Sequence, residues 1–425
     1  MRPRVGLLTF GCRVNQYETQ MMCSLLADGF DLVQEEADVY LVSACTVTSL
    51  AERKARQAIR RLRREHPQAK VLLIGCLADA VARGVSDIRE ADLLGGNAWK
   101  GEIHEAVHRA LAGEQGMLPS IDPISLDQER IARQPGRVRA FLKIQDGCDF
   151  SCAFCRTTQI RGPSRSKSIA ATVTEARSLV GCGCAEIVLA GINLAQYSPP
   201  DGDLAMLVRK LVTIGGLRRL RLGSINPAGI TQRLLEVAAL DRRFCPHFHI
   251  PLQSGDDAIL RCMNRGYTAS FYLSRIELIR RFLPEATFGA DVIVGFPGET
   301  EAAFAKTCSI MEEVGFVNLH IFRYSPRVGT QASDFPRAVS DKQRRNRAQR
   351  LAQLARLLRE RCMEVFLGRV EGVLVEEKRD GHWRGYTRGY IDTVLEGGNG
   401  IIAGAEVAAR ITGVSEDHLE GVKDD

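Results

Sequence analysis

Arg139-Ala-Phe-Leu-Lys-Ile-Gln-Asp-Gly-Cys148-Asp-Phe-Ser-Cys152-Ala-Phe-Cys155 carries a strand-like run directly into a loop that holds three thiols within eight residues. A strand that ends in chemically loaded residues is the habit of α/β folds, which put their working groups at the carboxyl ends of parallel strands. Thiolates are the ligands of iron–sulfur clusters. Three of them on a four-iron cubane leave one iron open, as a catalytic zinc keeps one position vacant. A cluster that only relays electrons normally takes four. A structural zinc loop is the competing reading of the same spacing.

Five further strand-like runs follow: Glu186-Ile-Val-Leu-Ala, Arg219-Leu-Arg-Leu, Phe248-His-Ile, Ala290-Asp-Val-Ile-Val and Asn318-Leu-His-Ile-Phe. Helical segments separate nearly all of them, so residues 137–335 are predicted to form an incomplete (βα)6 barrel. Polar residues recur where those strands end, at Gly191 and Asn193, Ser224 and Asn226, Gln253 and Ser254, Asp291, then Arg323 and Tyr324. Each alone is an ordinary loop residue. Together they line the end of the barrel that holds its ligand. Gly295-Phe-Pro-Gly-Glu299 reads as a tight turn after the fifth strand.

Upstream, residues 1–118 alternate short apolar strands (Val5 to Phe10, Val39 to Ser43, Val71 to Ile74, Asp92 to Leu94) with amphipathic helical stretches. That is the pattern of an α/β domain with a parallel sheet. Cys12, Cys45 and Cys76 each directly follow one of these strands. The carboxyl ends of parallel strands share one edge, so the three thiols can converge into a second site, although three buried structural cysteines would show the same spacing. Cys23 lies inside an amphipathic stretch and reads as core, and the remaining six cysteines share no geometry. Residues 119–136 read as a proline-containing linker and 336–366 as a basic helix. Residues 367–425 read as a small closed β-domain built on Val370 to Val375, Tyr390 to Leu395 and Val407 to Ile411.

The whole chain, 425 residues with 45% apolar, suits two to four domains of an ordinary globular protein. Its N-terminal apolar stretch is too short for a signal peptide, and no run reaches a membrane span of ~18 residues, so a cytoplasmic protein is expected. Thirteen cysteines, an odd count, do not suggest a disulfide framework in that compartment. Charge is uneven. Arg337 to Arg369 holds ten Lys or Arg against three Asp or Glu, whereas Phe366 to Asp425 holds seven against twelve.

These residues resemble the radical S-adenosylmethionine (SAM) methylthiotransferases over nearly the whole chain. The matching stretches are Gly11-Cys-Arg-Val-Asn-Gln-Tyr-Glu-Thr19, Ala44-Cys-Thr-Val-Thr48, Asp146-Gly-Cys148 through Cys155, Arg161-Gly-Pro-Ser-Arg165, Gly191-Ile-Asn193, Pro251-Leu-Gln-Ser-Gly255, Met263-Asn-Arg265 and Asp291 through Glu299. The resemblance implies an N-terminal domain, a radical SAM partial barrel and a C-terminal β-barrel of the TRAM type. It also implies two 4Fe-4S clusters, one on Cys148, Cys152 and Cys155 that binds SAM and an auxiliary one on Cys12, Cys45 and Cys76. Gly191, Asn193, Ser224, Asn226, Gln253, Arg265 and Asp291 are then expected around the cofactor.

Arg13 to Thr19 and Gly385-Tyr-Thr-Arg-Gly-Tyr-Ile391 look like the branch that converts N6-threonylcarbamoyladenosine, beside the anticodon of transfer RNA (tRNA), to its 2-methylthio derivative. Sister branches act on isopentenyladenosine in tRNA and on an aspartate of a ribosomal protein. The implied partners are tRNA and an electron donor such as a flavodoxin or ferredoxin, with no membrane and a monomeric enzyme. A SAM-derived radical would remove hydrogen from C2 of adenine, a bond that acid–base chemistry cannot open. One departure stands out: after Cys155 the family usually carries an apolar pair, Pro and an aromatic, where this chain has Arg156-Thr-Thr-Gln159. That segment is expected to touch substrate or SAM. The basic helix is expected to meet RNA phosphates through Arg344, Arg345 and Arg347, and the acidic last domain would need a local basic face at Lys378, Arg379, Arg384 and Arg388.

Overall fold

A computed structural model describes residues 2–46, 49–131, 137–397 and 400–424. Val47 and Thr48 of the Ala44 to Thr48 match, and residues 132–136 of the expected linker, lie outside the described residues.

The first unit is one parallel sheet of β1 (Arg4–Phe10), β2 (Asp31–Val33), β3 (Val39–Ala44), β4 (Lys70–Ile74), β5 (Leu93–Gly95) and β6 (Gly116–Met117), in the order β2-β1-β3-β4-β5-β6. Alternation on β3 explains its unbroken apolar run. Leu41 joins Met22, Leu26, Ala106 and Val107 on the face of α1 (Arg13–Leu26) and α4 (Ile103–Leu111). Tyr40 and Val42 join Ala55, Ile59, Leu62 and Leu77 on the face of α2 (Ser49–Glu65) and α3 (Cys76–Ala82). The edge strands β2 and β6, absent from the sequence reading, are largely exposed and so carry no apolar signal.

The second unit contains β7 (Arg139–Lys143), a short antiparallel pair β8 (Gln145–Asp146) and β9 (Arg165–Ser166), then β10 (Glu186–Ala190), β11 (Arg219–Leu222), β12 (His247–His249), β13 (Thr287–Val294) and β14 (Asn318–Arg323). Strands β7-β10-β11 and β12-β13-β14 form two parallel sheets, which the parallel bridges Leu220–Phe244 and Ser224–His249 join into one six-stranded arc. Among the described residues β7 and β14 do not pair, so the arc stays open on that side. Outside it pack α6 (Ile169–Gly181), α7 (Leu204–Leu211), α8 (Gln232–Ala239), α10 (Ala269–Phe282), α11 (Glu301–Val314) and α12 (Asp341–Glu364), whereas α5 (Thr157–Arg161) packs on the first unit and α9 (Asp257–Cys262) beside the cysteine loop. Ser168, Asp203, Thr231, Asp256, Thr268, Thr300 and Ser340 each start a helix by accepting a backbone N–H.

Strand parity sets the character of the barrel. Ala140, Leu142, Ile187, Leu189, Leu220, Leu222, Phe248, Ala290 and Val292 pack outward with the helices. The alternate residues, among them Arg139, Glu186, Arg219, Arg221, His247, His249 and Asp291, therefore face inward. The interior is polar. Helix α12 buries Leu351 and Leu358 in the same core as the strands, so it serves as the helix after the sixth strand.

The third unit, β15 (Val370–Arg379), β16 (His382–Thr387), β17 (Asp392–Glu396), β18 (Glu406–Val414) and β19 (Leu419–Lys423), closes into a barrel in the order β15-β16-β17-β19-β18. Its β16–β17 connection plugs the amino-terminal end of the open barrel. Arg219 donates to Tyr386 O at 2.7 Å, Arg221 to Arg388 O at 2.8 Å, and Thr287 to Gly389 O at 2.6 Å. Tyr390, held at φ +61°, stacks on Tyr386 at 5.1 Å and meets the guanidinium of Arg221 at 4.7 Å.

Candidate active site

The cysteine loop begins with a turn that only glycine fits. Gly147 sits at φ +71°, and a Cβ there would lie 1.9 Å from Pro163 O. Gln145 then fixes the loop: its amide donates to Gly147 O at 2.8 Å and Ser164 Oγ at 3.0 Å, while its carbonyl accepts from Asn193 N at 2.9 Å. Cys148, Cys152 and Cys155 are half-buried neighbours with interacting charges. Arg265 donates to Cys152 Sγ at 3.1 Å, and the sulfur of Cys155 lies 3.1 Å from Thr157 Oγ1. Burial pushes the Cys148 and Cys155 thiols up. A cationic donor and a hydroxyl aimed at sulfur suit thiolates bound to iron, whose charge such hydrogen bonds temper.

Cys12, Cys45 and Cys76 follow the adjacent strands β1, β3 and β4 on the edge where α5 docks, and Cys76 Sγ lies 3.6 Å from Asn97 Oδ1. Cys12 and Cys45 are hydrogen-bonded, and a Cβ on Gly11 would lie 2.9 Å from Cys45 Cβ. Cys76 packs against Ile160, and the Arg161 charge acts on both Cys12 and Cys76. Cys12 is exposed at the sheet edge, and its thiol is lowered to about 6, first by the hydrogen bond from Cys45, with Arg161 and Asn15 adding to it. Asn15 Oδ1 lies 3.2 Å from Cys12 Sγ, and its buried Nδ2 has no partner among the described residues. That donor fits a sulfur acceptor. The two thiol sets thus lie at opposite ends of α5, a helix whose five residues rise about 7 Å.

Among the other expected positions, Asn193 and Asn226 spend their side-chain oxygens on Ala195 N and Ala228 N, closing the turns after β10 and β11. Ser224 bridges to His249, and Gly191 packs closely on Leu194 and Gln145. Gln253, at φ +64°, donates its N–H to Asp291 O at 2.8 Å, and its buried Oε1 has no partner among the described residues. Asp291 Oδ1 meets two imidazoles, His249 and His320. Both histidines and Gln145 escaped the sequence reading. The findable signal was His247-Phe-His249 and His320 at inward positions of otherwise apolar strands.

Arg156 to Gln159 turns toward the protein. Arg156 donates to Val328 O at 2.6 Å, Gln159 to Gly329 O at 2.7 Å, and Thr158 to Cys148 O at 3.1 Å. Those side chains tether the loop after β14 and close the cysteine loop on itself.

An open six-stranded barrel with three thiols after its first strand defines the radical SAM class of enzyme, and residues 142–310 match the Radical SAM superfamily. Residues 4–96 match the Uncharacterized protein family UPF0004. The chain is 32% identical to the threonylcarbamoyladenosine tRNA methylthiotransferase MtaB of Bacillus subtilis, over 98% of this chain and 95% of that one. It is 33% identical to the tRNA-2-methylthio-N(6)-dimethylallyladenosine synthase of Magnetococcus marinus, over 97% and 98%. The radical SAM methyltransferase TsrM of Kitasatospora setae, 14% identical, shares the fold with a TM-score of 0.58 over 78% of this chain and 77% of that one. The chain belongs to the radical SAM tRNA methylthiotransferase family and is an enzyme of that kind. No helix of the described residues is long and apolar enough to cross a membrane.

Proposed function

We propose that this enzyme methylthiolates C2 of N6-threonylcarbamoyladenosine beside the anticodon of tRNA. It uses two molecules of SAM and two 4Fe-4S clusters, one on Cys148, Cys152 and Cys155 and an auxiliary one on Cys12, Cys45 and Cys76. The observation that carries the reading is the pair of three-thiol sets at the two ends of α5, each at the carboxyl edge of its own parallel sheet. When bound, SAM and the barrel cluster supply the radical that opens an unactivated C–H bond, and the auxiliary cluster supplies sulfur. This chain's own residues do the rest. Arg265 and Thr157 hold the barrel thiols, Asn15 addresses the auxiliary site, and Arg161 locks the two units in register. An adenine in an anticodon loop can leave its stack to reach the inner face more cheaply than one in a duplex.

Relatives named for threonylcarbamoyladenosine and for dimethylallyladenosine match at similar identity, so the choice of base rests on the Arg13 to Thr19 and Gly385 to Ile391 stretches. An electron donor of the flavodoxin or ferredoxin type, a monomeric state and a cytoplasmic setting complete the proposal.

Two triple variants test it. Cys12→Ala, Cys45→Ala, Cys76→Ala should keep about half the iron, still cleave SAM to 5′-deoxyadenosine, and make no methylthio product, since three ligands remain in the barrel. The reciprocal variant at Cys148, Cys152 and Cys155 should lose SAM cleavage. Full product from the first variant would sink the assignment. Nucleoside analysis of tRNA from a strain lacking the gene identifies the base.

A further inference from the structure

Three adjacent barrel strands bring His249, Asp291 and His320 onto one patch of the inner face. The register pairs Asp291 with His320 across β13 and β14, and His249 with Gly289 across β12 and β13. Asp291 Oδ1 lies 3.1 Å from His249 Nε2 and 3.0 Å from His320 Nδ1. The imidazoles lie 5.1 Å apart. Gly289 makes room for them, because a Cβ there would lie 3.0 Å from His249 Nδ1. Exposure rises along the patch, from 9% at His249 through 24% at Asp291 to 60% at His320, so a supported ring is presented to the open side of the barrel. The patch also neighbours the first thiol set. Arg265, which holds Cys152, donates through Nε to Tyr267 Oη at 3.2 Å. Burial raises the Tyr267 hydroxyl, and the charges of Cys152 and Asp291 add to it, so one ring lies within reach of both groups.

The contacts to Asp291 use His249 Nε2 and His320 Nδ1, which leaves Nε2 of the exposed His320 ring as the nitrogen open to a ligand. We propose that His320 Nε2 accepts a hydrogen bond from an N–H of the N6-substituted adenine, and that Asp291 and His249 are positioning residues that fix its tautomer and orientation. The inference rests on the tRNA-adenine reading above. It adds the group that sets the base in front of the reacting centre.

The test uses enzyme reconstituted with both clusters, and tRNA carrying either threonylcarbamoyladenosine or isopentenyladenosine. The wild-type enzyme on each tRNA decides the choice of base by itself. On whichever tRNA is turned over, His320→Phe should raise the 5′-deoxyadenosine formed per methylthio product at least about tenfold, the scale of one lost polar contact to a bound substrate. Its tRNA affinity, set by phosphate contacts, should stay within about twofold. His320→Gln, which keeps an acceptor, should restore much of the coupling, and Asp291→Asn, which alters the tautomer, should behave like His320→Phe with normal iron content. Wild-type coupling in His320→Phe would overturn the proposal. The three ligand atoms also lie within 4.8 Å of one another, a spacing that suits a divalent ion. Zinc or manganese bound one per chain and lost in His249→Ala would overturn it as well.

Discussion

Arg161 and Glu18 form a two-point ion pair across two separate sheets, with Nη1 2.8 Å from Oε1 and Nη2 3.0 Å from Oε2. Glu18 rides on α1 of the first unit, and Arg161 ends the helix that begins beside Cys155. The same Nη1 reaches Asp146 Oδ1 at 2.8 Å, and Lys143 reaches both Glu18 and Asp146 at 2.8 Å. Together these cations hold the Asp146 and Glu18 carboxyls well below the usual carboxylate range despite burial.

Removing one member leaves the others charged and dry. Arg161→Ala should cost on the order of 3–5 kcal/mol, the range for stranding a buried charge. Iron should fall at both sites, because α5 orders both. Arg161→Lys should rescue little, since an ammonium cannot make the two-point contact. Thermal melting with iron analysis checks this, and a loss of iron confined to one site would refute the shared role.

Arg156 and Gln159 are tethers for backbone carbonyls, and their replacement should act through the loop after β14. Arg156→Ala gives up a charge-assisted hydrogen bond worth about 1.5–3 kcal/mol. Cleavage by a protease between residues 326 and 330 should speed up several-fold with iron unchanged. Unaltered proteolysis would return the segment to a substrate-facing role.

The basic helix spends some of its charges on the protein and leaves Lys342, Arg345 and Arg356 exposed. Arg347 is buried against Glu299 at 2.7 Å, Arg344 donates to Tyr324 O, and Arg350 pairs with Glu301. Charge reversal at Arg347 should therefore unfold the barrel rather than select against RNA. An exposed stripe also runs along α2, where Arg53, Lys54 and Arg64 accompany Arg60 and Arg61, which pair with Glu90 and Glu65. Reversing Arg53, Lys54 and Arg64 should weaken tRNA binding and lower the slope of log affinity against log salt by roughly two. An unchanged slope would remove α2 from the RNA surface.

Acid should act on the barrel floor. Arg221 donates to Glu186 Oε1 at 2.9 Å, and with Arg139 and Arg219 it draws the Glu186 carboxyl down to about 2 although burial raises it. A depressed acid contributes stability that is complete above its ordinary pKa near 4.5 and is lost as pH falls towards 2. The contribution is on the order of 3 kcal/mol. Urea midpoints of the protein and of Glu186→Gln should differ at pH 7 and converge only as pH approaches about 2, cluster loss being common to both.

The elements with strong alternation or continuous apolar runs were legible in the sequence: all six barrel strands, the four inner strands of the first sheet, and both thiol sets as ends of strands. What escaped was decided by tertiary partners. β16 and β19 contain glycine and charge, and gain their meaning only from barrel closure. Arg347 of α12 was expected on an RNA surface because its partner Glu299 lies some fifty residues upstream. Arg388, expected on a basic face of the last unit, turns inward to Phe244 O.

The plug formed by Tyr386 to Tyr390 also fixes an order of events at the ribosome. Arg219 and Arg221 are synthesised about 170 residues before the carbonyls that satisfy them. At roughly 5–20 residues per second, the nascent barrel waits on the order of ten to thirty seconds with its floor open to water. A chain stopped after α12 is therefore a barrel without a base, so the last unit completes the fold before it can serve any RNA.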